Sequence, residues 1–152
     1  MAKQSAGILL YRILQEPEVL LVHPGGPFFA KKDSGSWSIP KGEYINDEDP
    51  LNAAKREFGE ETGKIPDGQF IALTPVKQQG GKIVRAWAVE GEMDVDSTVS
   101  NTFEMIWPPG SGKLRTFPEV DKAAWFPIKT AREKINKGQI QLLDQLEELL
   151  KE

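Results

Sequence analysis

The N-terminal part of the chain alternates apolar runs with polar interruptions. Residues Ser5 to Leu14 and Glu18 to His23 are apolar and strand-prone, and the short segment QEPE separates them. This pattern predicts two strands that lie inside a sheet and are joined by a tight connection. The next stretch, PGGPFFAKKDSGSWSIPKG, is rich in turn-forming residues and is predicted as a long loop with an apolar island from Trp37 to Pro40.

After this loop the pattern changes to helical spacing. The apolar residues that recur at this spacing are Leu51, Ala54 and Phe58. Asp49 is a suitable N-cap, and Gly63 is a natural C-terminal stop. These features predict a helix from about Pro50 to Thr62.

Two further strand-prone runs, Gln69 to Lys77 and Lys82 to Glu90, flank the turn-forming segment QQGG and predict a hairpin. The polar segment from Glu92 to Phe117 is predicted to be irregular, with one strand edge near Thr102 to Trp107.

The C-terminal part predicts a short strand from Lys122 to Pro127, a helix from Ile128 to Lys137, a break at Gly138 and a terminal helix with a leucine stripe. Strands before and after a central helix, followed by C-terminal helices, predict an α/β (α+β) fold with a mixed sheet covered by helices on both faces. We expect residues 1–152 to form one domain.

Composition narrows the class of protein. Hydrophobic residues make up 39% of the 152-residue chain, charged residues 28%, and the net charge is −4. This charge provides no broad basic field, so no DNA binding is expected and an anionic ligand would need a metal or a few placed cations. The lack of cysteine excludes disulfides, zinc–thiolate sites and thiol nucleophiles, and favours the cytoplasm. The apolar runs end before the ~20 residues of a membrane span, so no membrane association is expected.

The predicted central helix carries the sequence REFGEETG. Successive helical residues advance by about 100°, so Glu57, Glu60 and Glu61 share one face. Like charges at this spacing cost roughly 0.2–0.5 kcal/mol per pair, and a hard divalent cation removes that cost because carboxylate oxygens are the ligands that Mg²⁺ and Mn²⁺ prefer. From these residues alone, the alternative is a solvated acidic face on which Arg56 pairs with Glu60.

The spacing around this cluster resembles the Nudix box of the Nudix hydrolase family, from Gly42 to Lys64. Gly42 is followed by five residues, Glu48, seven residues and then Arg56-Glu57-Phe58-Gly59-Glu60-Glu61-Thr62-Gly63. Every charged and glycine position of the box is filled at the right spacing, which makes the resemblance specific. Two positions depart from it: Phe58 replaces a smaller aliphatic residue, and Lys64 replaces an apolar one.

The resemblance extends beyond the box. WSIPKG, residues 37–42, is similar to the strand and turn that lead into it, and FPEVDKAAWF, residues 117–126, is similar to a late segment that carries an extra glutamate. The likeness therefore covers most of the chain from about Ser5 to Thr130, and it implies a Nudix-type α/β/α sandwich.

The resemblance also implies hydrolysis of a pyrophosphate bond in a nucleoside diphosphate linked to another moiety, with Mg²⁺ or Mn²⁺ as cofactor. Carried over by position, Glu57 and Glu61 would be the main metal ligands, and Glu60 a further ligand or the base that orients water. The main-chain carbonyl of Lys41 or Gly42 would complete the metal site.

Three further residues would support the chemistry. By the same resemblance, Arg56 would hold the carboxylates in place and Glu48 would support Arg56. Glu119 would be an extra ligand or general base; as a residue beside Pro118 it is equally well explained as a surface glutamate.

Four residues are candidates for substrate binding. Lys41, beside the box, and Arg85 are candidate contacts for substrate phosphates. Trp37 and Trp107 are candidates for stacking on a nucleobase, because an aromatic face accepts any base. The position of Trp37 at the end of an apolar run favours a core location, whereas Trp107 lies in a polar loop.

The compact size and the run WSIPKGE resemble small family members that cleave dinucleoside polyphosphates or nucleoside triphosphates, in that order. The alternatives are a hydrolase of oxidised or non-standard nucleotides and a non-catalytic nucleotide-sensing Nudix domain. The complete set of charged box residues argues against the sensor. We therefore expect a nucleotide substrate. For the oligomeric state, we expect a monomer or a homodimer.

Overall fold

The computed structural model describes residues 3–45 and 47–151. Its strands are, in chain order, β1 (Gln4–Ile13), β2 (Pro17–Pro24), β3 (Lys41–Glu43), β4 (Ile71–Ala72), β5 (Val76–Lys77), β6 (Ile83–Glu90), β7 (Thr102–Ile106), β8 (Leu114–Pro118) and β9 (Val120–Pro127). Its helices are α1 (Pro50–Thr62), α2 (Ile128–Lys134) and α3 (Ile140–Leu150), with short 3₁₀ turns at Val95–Ser97 and Lys137–Gln139.

Strand β1 lies at the centre of a seven-stranded mixed sheet, and β7 and β8 form a separate hairpin. β1 runs parallel to β6 on one side. On its other side, its end pairs with β2 and its beginning, Ser5 to Gly7, pairs with β3. β9 extends the sheet beyond β2. The mixed sheet and its flanking helices confirm the predicted α+β fold.

Alternating residues of β1 face opposite sides of the sheet and supply two cores. Ala6, Ile8 and Leu10 pack with the apolar side of α1, including Phe58, which is 1% exposed. The other core lies under α2 and α3 and contains Leu9. The prediction that helices cover both faces is therefore confirmed. In the part of the chain that the structure describes, no helix has the length and apolar character of a membrane span.

Helix α1 has the predicted ends. The Asp49 carboxylate accepts a hydrogen bond from the Asn52 N–H at 3.1 Å. Gly63 adopts a left-handed conformation with φ 76° and donates its N–H to the Gly59 carbonyl. Both caps satisfy backbone groups that a helix end leaves without a partner.

A glycine inside α1 provides a test of helix stability. A Cβ at Gly59 would meet only the Lys64 carbonyl oxygen, at 3.7 Å, which is ordinary van der Waals contact. Because glycine costs a helix interior about 0.5–1 kcal/mol relative to alanine, we expect Gly59→Ala to raise the free energy of unfolding by about that amount. Urea titration followed by circular dichroism measures this change; a decrease would contradict the open space at this position.

The predicted strand from Gln69 to Lys77 is wrong as a single element, because it is split into β4 and β5. At the split, the Thr74 N–H donates to the side-chain oxygen of Gln145 at 2.6 Å, and the Thr74 carbonyl accepts from the side-chain nitrogen of Gln145 at 3.0 Å. Pro75 follows and has no N–H to donate. A side chain of α3 therefore replaces the ladder bonds at the split, although both pieces pair with β6 as the predicted hairpin requires.

Two other boundaries differ from the prediction. The segment predicted as irregular with one strand edge contains a complete hairpin, in which Thr102 to Ile106 pair with Leu114 to Pro118. Helix α2 ends at Lys134 rather than Lys137, because Ile135 turns into an extended conformation, is buried and forms a β-bridge with Trp37.

Candidate active site

Strand β3 and helix α1 approach each other closely at the box residues. The backbone N–H of Lys41 donates to the Glu61 carboxylate at 3.3 Å. A Cβ added to Gly42 would stand against both carboxylate oxygens of Glu57, well inside van der Waals contact. Glycine at this position therefore lets the strand backbone reach the acidic face of the helix.

Arg56 joins three carboxylates. Its Nε and Nη2 atoms donate to the two oxygens of Glu48 at 2.8 and 2.9 Å. Its Nη1 atom donates to Glu57 at 2.8 Å and to Glu60 at 2.5 Å. The hydrogen bonds to Glu48, and then those to Glu57 and Glu60, raise the pKa of Arg56. A solvated acidic face accounts for the Glu60 contact alone, whereas the structure places Arg56 at the centre of the cluster.

Burial and crowding change the acidity of the helix carboxylates. Burial raises the pKa of Glu61 to about 8; the charges of Glu57 and Glu119 add to this effect, and the Lys41 N–H opposes it. Burial also raises the pKa of Glu57, where the hydrogen bond from Arg56 opposes it. The carboxylates thus form a concentrated acidic site that a cation would stabilise.

Glu119 approaches this site from the link between β8 and β9. Burial, and then the charge of Glu60, raises the pKa of Glu119. Its N–H donates to the Asn101 carbonyl at 2.8 Å, and its carbonyl accepts from the Gly25 N–H at 2.9 Å. The structure therefore brings Glu119 together with the carboxylates of α1.

Asn101 is a residue of this region that sequence reasoning missed. Its backbone N–H donates to the Glu60 carbonyl at 2.7 Å, and its side-chain nitrogen donates to the Glu60 carboxylate at 3.2 Å. Together with its bond to Glu119, it connects the end of α1 to the β8–β9 link. The polar segment around Asn101 has no periodicity that could have indicated this role.

A cavity of about 300 Å³ lies beside the carboxylates. Lys41, Glu61 and Glu119 line it, together with residues of β2, of the loop after β2 and of the segment between α2 and α3. Burial lowers the pKa of Lys41, and the positive charge of Lys82 adds to this effect. The structure thus places the predicted phosphate-binding residue Lys41 in the same cavity as Glu61.

Two of the predicted substrate contacts, Trp37 and Arg85, do not line this cavity. Trp37 is 5% exposed, its Nε1 donates to Asp33 at 2.8 Å, and its ring packs edge-on against Phe126. A stacking platform needs an open face, so the structure contradicts the stacking role for Trp37 and places it in the core. Arg85 is exposed and donates to the side chain of Gln4 at 3.3 Å rather than joining the carboxylate cluster.

Trp107 remains a candidate substrate contact. It lies between β7 and β8, and its ring meets Phe28 edge-on with a centroid distance of 5.5 Å. Phe28 is 61% exposed, and its neighbour Phe29 lines the cavity. Aromatic side chains of the hairpin and of the loop after β2 therefore lie near one edge of the cavity.

The acidic site has the donors that a hard divalent cation requires. Glu57, Glu61 and Glu119 supply carboxylate oxygens, and Gly42 allows a backbone carbonyl to approach. Within residues 3–45 and 47–151, no three acidic or histidine side chains already stand in metal-binding geometry. The Arg56 guanidinium instead binds oxygens of Glu57 and Glu60. The fit to a divalent cation therefore rests on the chemistry of the donor set, which consists of carboxylate and carbonyl oxygens.

A comparison with family models decides the family. The model described as NUDIX domain matches residues 1–146. The chain belongs to the Nudix family. It is accordingly a hydrolase that acts on pyrophosphate bonds, and Nudix hydrolases generally need a divalent metal ion. No curated protein matches the chain in the corresponding sequence search.

Solved structures share the Nudix fold at low sequence identity. The Ap4A hydrolase of C. elegans, in a binary complex, is 22% identical with a TM-score of 0.64, and the match covers 99% of this chain and 98% of that one. The NUDIX domain of Shewanella oneidensis NrtR, complexed with ADP ribose, is 17% identical with a TM-score of 0.67, covering 99% and 89%. The M. smegmatis Nudix hydrolase RenU is 21% identical with a TM-score of 0.61, covering 97% and 85%.

Proposed function

We propose that this Nudix hydrolase cleaves a pyrophosphate bond of a dinucleoside polyphosphate, or of a nucleoside triphosphate, using Mg²⁺ or Mn²⁺. The observation that carries the proposal is the contact between the acidic face of α1 and the backbone of β3, beside a cavity that contains Lys41 and Glu119. The likeness to the C. elegans Ap4A hydrolase over nearly the full length of both chains supports the first substrate class.

Glu57 and Glu61 would hold the metal ion, with Glu60 as a further ligand. When bound, the ion neutralises charge that develops on phosphoryl oxygens and activates water for attack. Gly42 keeps the backbone of β3 close enough to take part in the site, and Lys41 binds a phosphate oxygen with its ammonium group.

Two glutamates are candidates for the base that accepts the proton of the attacking water. Glu60 receives hydrogen bonds from Arg56 and Asn101. The Glu119 carboxylate receives none from the described residues, and burial chiefly raises its pKa. Because its oxygens have no other partner, Glu119 is the base that we favour. Arg56 and Glu48 fix the orientation of the ligand carboxylates. We also infer that residues 1–152 act as one domain in the cytoplasm.

A substrate panel tests this function. The purified protein is incubated with Mg²⁺ and a dinucleoside tetraphosphate, nucleoside triphosphates, oxidised nucleoside triphosphates or ADP-ribose, and the products are separated by chromatography. Fastest cleavage of the dinucleoside tetraphosphate supports the proposal. Preference for oxidised nucleotides would favour the hydrolase of non-standard nucleotides. Nucleotide binding without turnover of any compound would favour the sensor domain and overturn the proposal.

The raised pKa of Glu61, about 8, predicts a pH-dependent effect of the metal on stability. In the unfolded chain a glutamate titrates at a pKa of about 4.3. Between that pH and about 8, the folded, metal-free protein therefore holds a proton that the unfolded chain has released. Its free energy of unfolding therefore falls as pH rises through this window. Mg²⁺ competes with that proton, so we expect it to raise Tm more at pH 8 than at pH 6.

Thermal unfolding in Mg²⁺ and in EDTA at the two pH values measures this difference. The control is Glu61→Gln, in which no proton competes at this position, so a smaller increment with less dependence on pH is expected. Equal increments for the wild type at both pH values would contradict the assignment of Glu61 as a metal ligand.

A further inference from the structure

Amide side chains form one wall of the cavity beside Glu61. Gln78 comes from the turn between β5 and β6, whereas Asn136 and Gln139 come from the segment between α2 and α3. Gln139 is 1% exposed, so its amide has little contact with solvent and must find its partners within the protein. These three amides take no part in the hydrolytic chemistry proposed above.

The backbone determines which way two of these amides point. The Ile39 N–H donates to the Gln139 side-chain oxygen at 3.1 Å. A backbone N–H can only donate, so this bond identifies the oxygen of Gln139 and leaves its nitrogen to donate to the Gln78 side-chain oxygen at 3.0 Å. Since Gln78 receives this bond with its oxygen, its NH₂ group is the part left for another partner.

A backbone N–H orients Asn136 in the same way. The Gly138 N–H donates to its side-chain oxygen at 2.8 Å, which leaves its NH₂ group. Within the described residues, neither this group, nor the Gln78 NH₂, nor the Lys41 ammonium has a hydrogen-bond or salt-bridge partner. Among the described residues, Ser5 Oγ is the single fully buried polar side-chain atom without a partner. The three donor groups at the cavity are therefore not fully buried, and each can still meet a ligand.

The cavity is therefore lined by three side chains that can only donate further hydrogen bonds. The side-chain oxygens of Gln78 and Asn136 already accept bonds, and the Lys41 side chain has no acceptor. We call Lys41, Gln78 and Asn136 the donor wall. A donor wall favours a ligand that offers acceptors and disfavours one that offers N–H groups at the same place. The O6 and N7 atoms of guanine are both acceptors, whereas adenine offers N7 beside an N6 amino donor. Phosphate oxygens are also acceptors.

We propose that the donor wall is a subsite for an acceptor-only part of the substrate: the O6–N7 edge of a guanine, or a phosphate group of the polyphosphate chain. This inference rests on the proposed function, because it names the part of the nucleotide that enters the cavity. If the guanine edge binds, the protein selects guanosine over adenosine nucleotides. If a phosphate binds, the protein is indifferent to the base and responds to the length of the phosphate chain.

Two isosteric substitutions test the donor wall. Gln78→Glu keeps an oxygen to accept from Gln139 and replaces the free NH₂ with an oxygen. Asn136→Asp does the same beside Gly138. Gln79→Glu is the matched control, because Gln79 is exposed in the same turn and does not line the cavity, yet its change adds the same charge.

Calorimetry with GDP, ADP and inorganic tripolyphosphate in Mg²⁺ provides Kd without requiring turnover, and chromatography checks that each probe stays intact. We expect the favoured probe to bind Gln78→Glu and Asn136→Asp about tenfold more weakly than wild type, and the control to bind like wild type. GDP bound about tenfold more tightly than ADP identifies the guanine edge. Equal GDP and ADP affinity, with tripolyphosphate bound, identifies the phosphate chain.

The inference is overturned if no probe binds the wild type, or if Gln78→Glu and Asn136→Asp bind like the control while unfolding at the wild-type temperature. If Gln78→Glu does not fold, Asn136→Asp decides the test, because Asn136 lies on a different segment of the chain. If the wild type hydrolyses no nucleotide but the variants still lose affinity, the proposed function fails and the donor wall stands.

Discussion

Glu61→Gln is expected to lower kcat/KM by on the order of 10³-fold while the protein stays folded. The Glu61 carboxylate is directed at the cavity and accepts the Lys41 N–H, and glutamine preserves that shape and an oxygen to accept. What glutamine removes is the negative charge that would hold the cation. Steady-state kinetics with the preferred nucleotide in Mg²⁺, together with circular dichroism, measure the two parts of this prediction.

Glu16→Gln is the matched control, because Glu16 is exposed in the turn between β1 and β2. It makes the same chemical change away from the acidic face of α1, so activity close to wild type is expected. If Glu61→Gln turned over at the wild-type rate, the assignment of the acidic cluster as the metal site would be wrong. Loss of folding in Glu61→Gln would show instead that Glu61 has a structural role.

Gly42→Ala is expected to lower kcat/KM by about 100-fold with little change in stability. The new Cβ would collide with the Glu57 carboxylate, so that carboxylate has to move. The collision involves the far end of a flexible side chain, and Gly42 has no left-handed backbone that alanine would strain. The fold therefore tolerates the methyl group, but a ligand displaced by about 1 Å costs a reaction on the order of 10²-fold.

Gly59→Ala serves as the control for this variant. It adds the same methyl group within the box, at a position where the nearest atom is the Lys64 carbonyl oxygen at 3.7 Å. The two variants should differ in both measurements. Gly42→Ala is expected to lose activity and keep its stability, whereas Gly59→Ala is expected to keep activity and gain stability. Equal activity of Gly42→Ala and wild type would show that Glu57 functions without the close approach of β3.

Helix α1 could be predicted from its local sequence. Asp49 and Gly63 determine its ends through bonds to residues three or four positions away, and Phe58 shows which face is buried. Such signals need no knowledge of the rest of the chain. The same is true of the paired strands β1 and β2, whose apolar runs lie on either side of a short turn.

The failures share a different physical cause. The strand break at Thr74 depends on Gln145, a side chain 71 positions away. Helix α2 stops early because Ile135 reaches Trp37 across the core. Strand β8 escaped prediction because its residues are largely exposed and have no buried face to produce a pattern. Long-range contacts and exposed strands leave no periodic trace in the local sequence.

The acidic face of α1 follows from local sequence, because one helix carries Glu57, Glu60 and Glu61 and a helix brings residues three and four positions apart onto one side. The neighbours of that face depend on how the whole chain folds. The backbone of β3, the Glu119 carboxylate and the amide of Gln78 come from separate parts of the chain. The packing of sheet and helices brings them to one cavity. This packing depends on long-range contacts, which no local sequence pattern encodes.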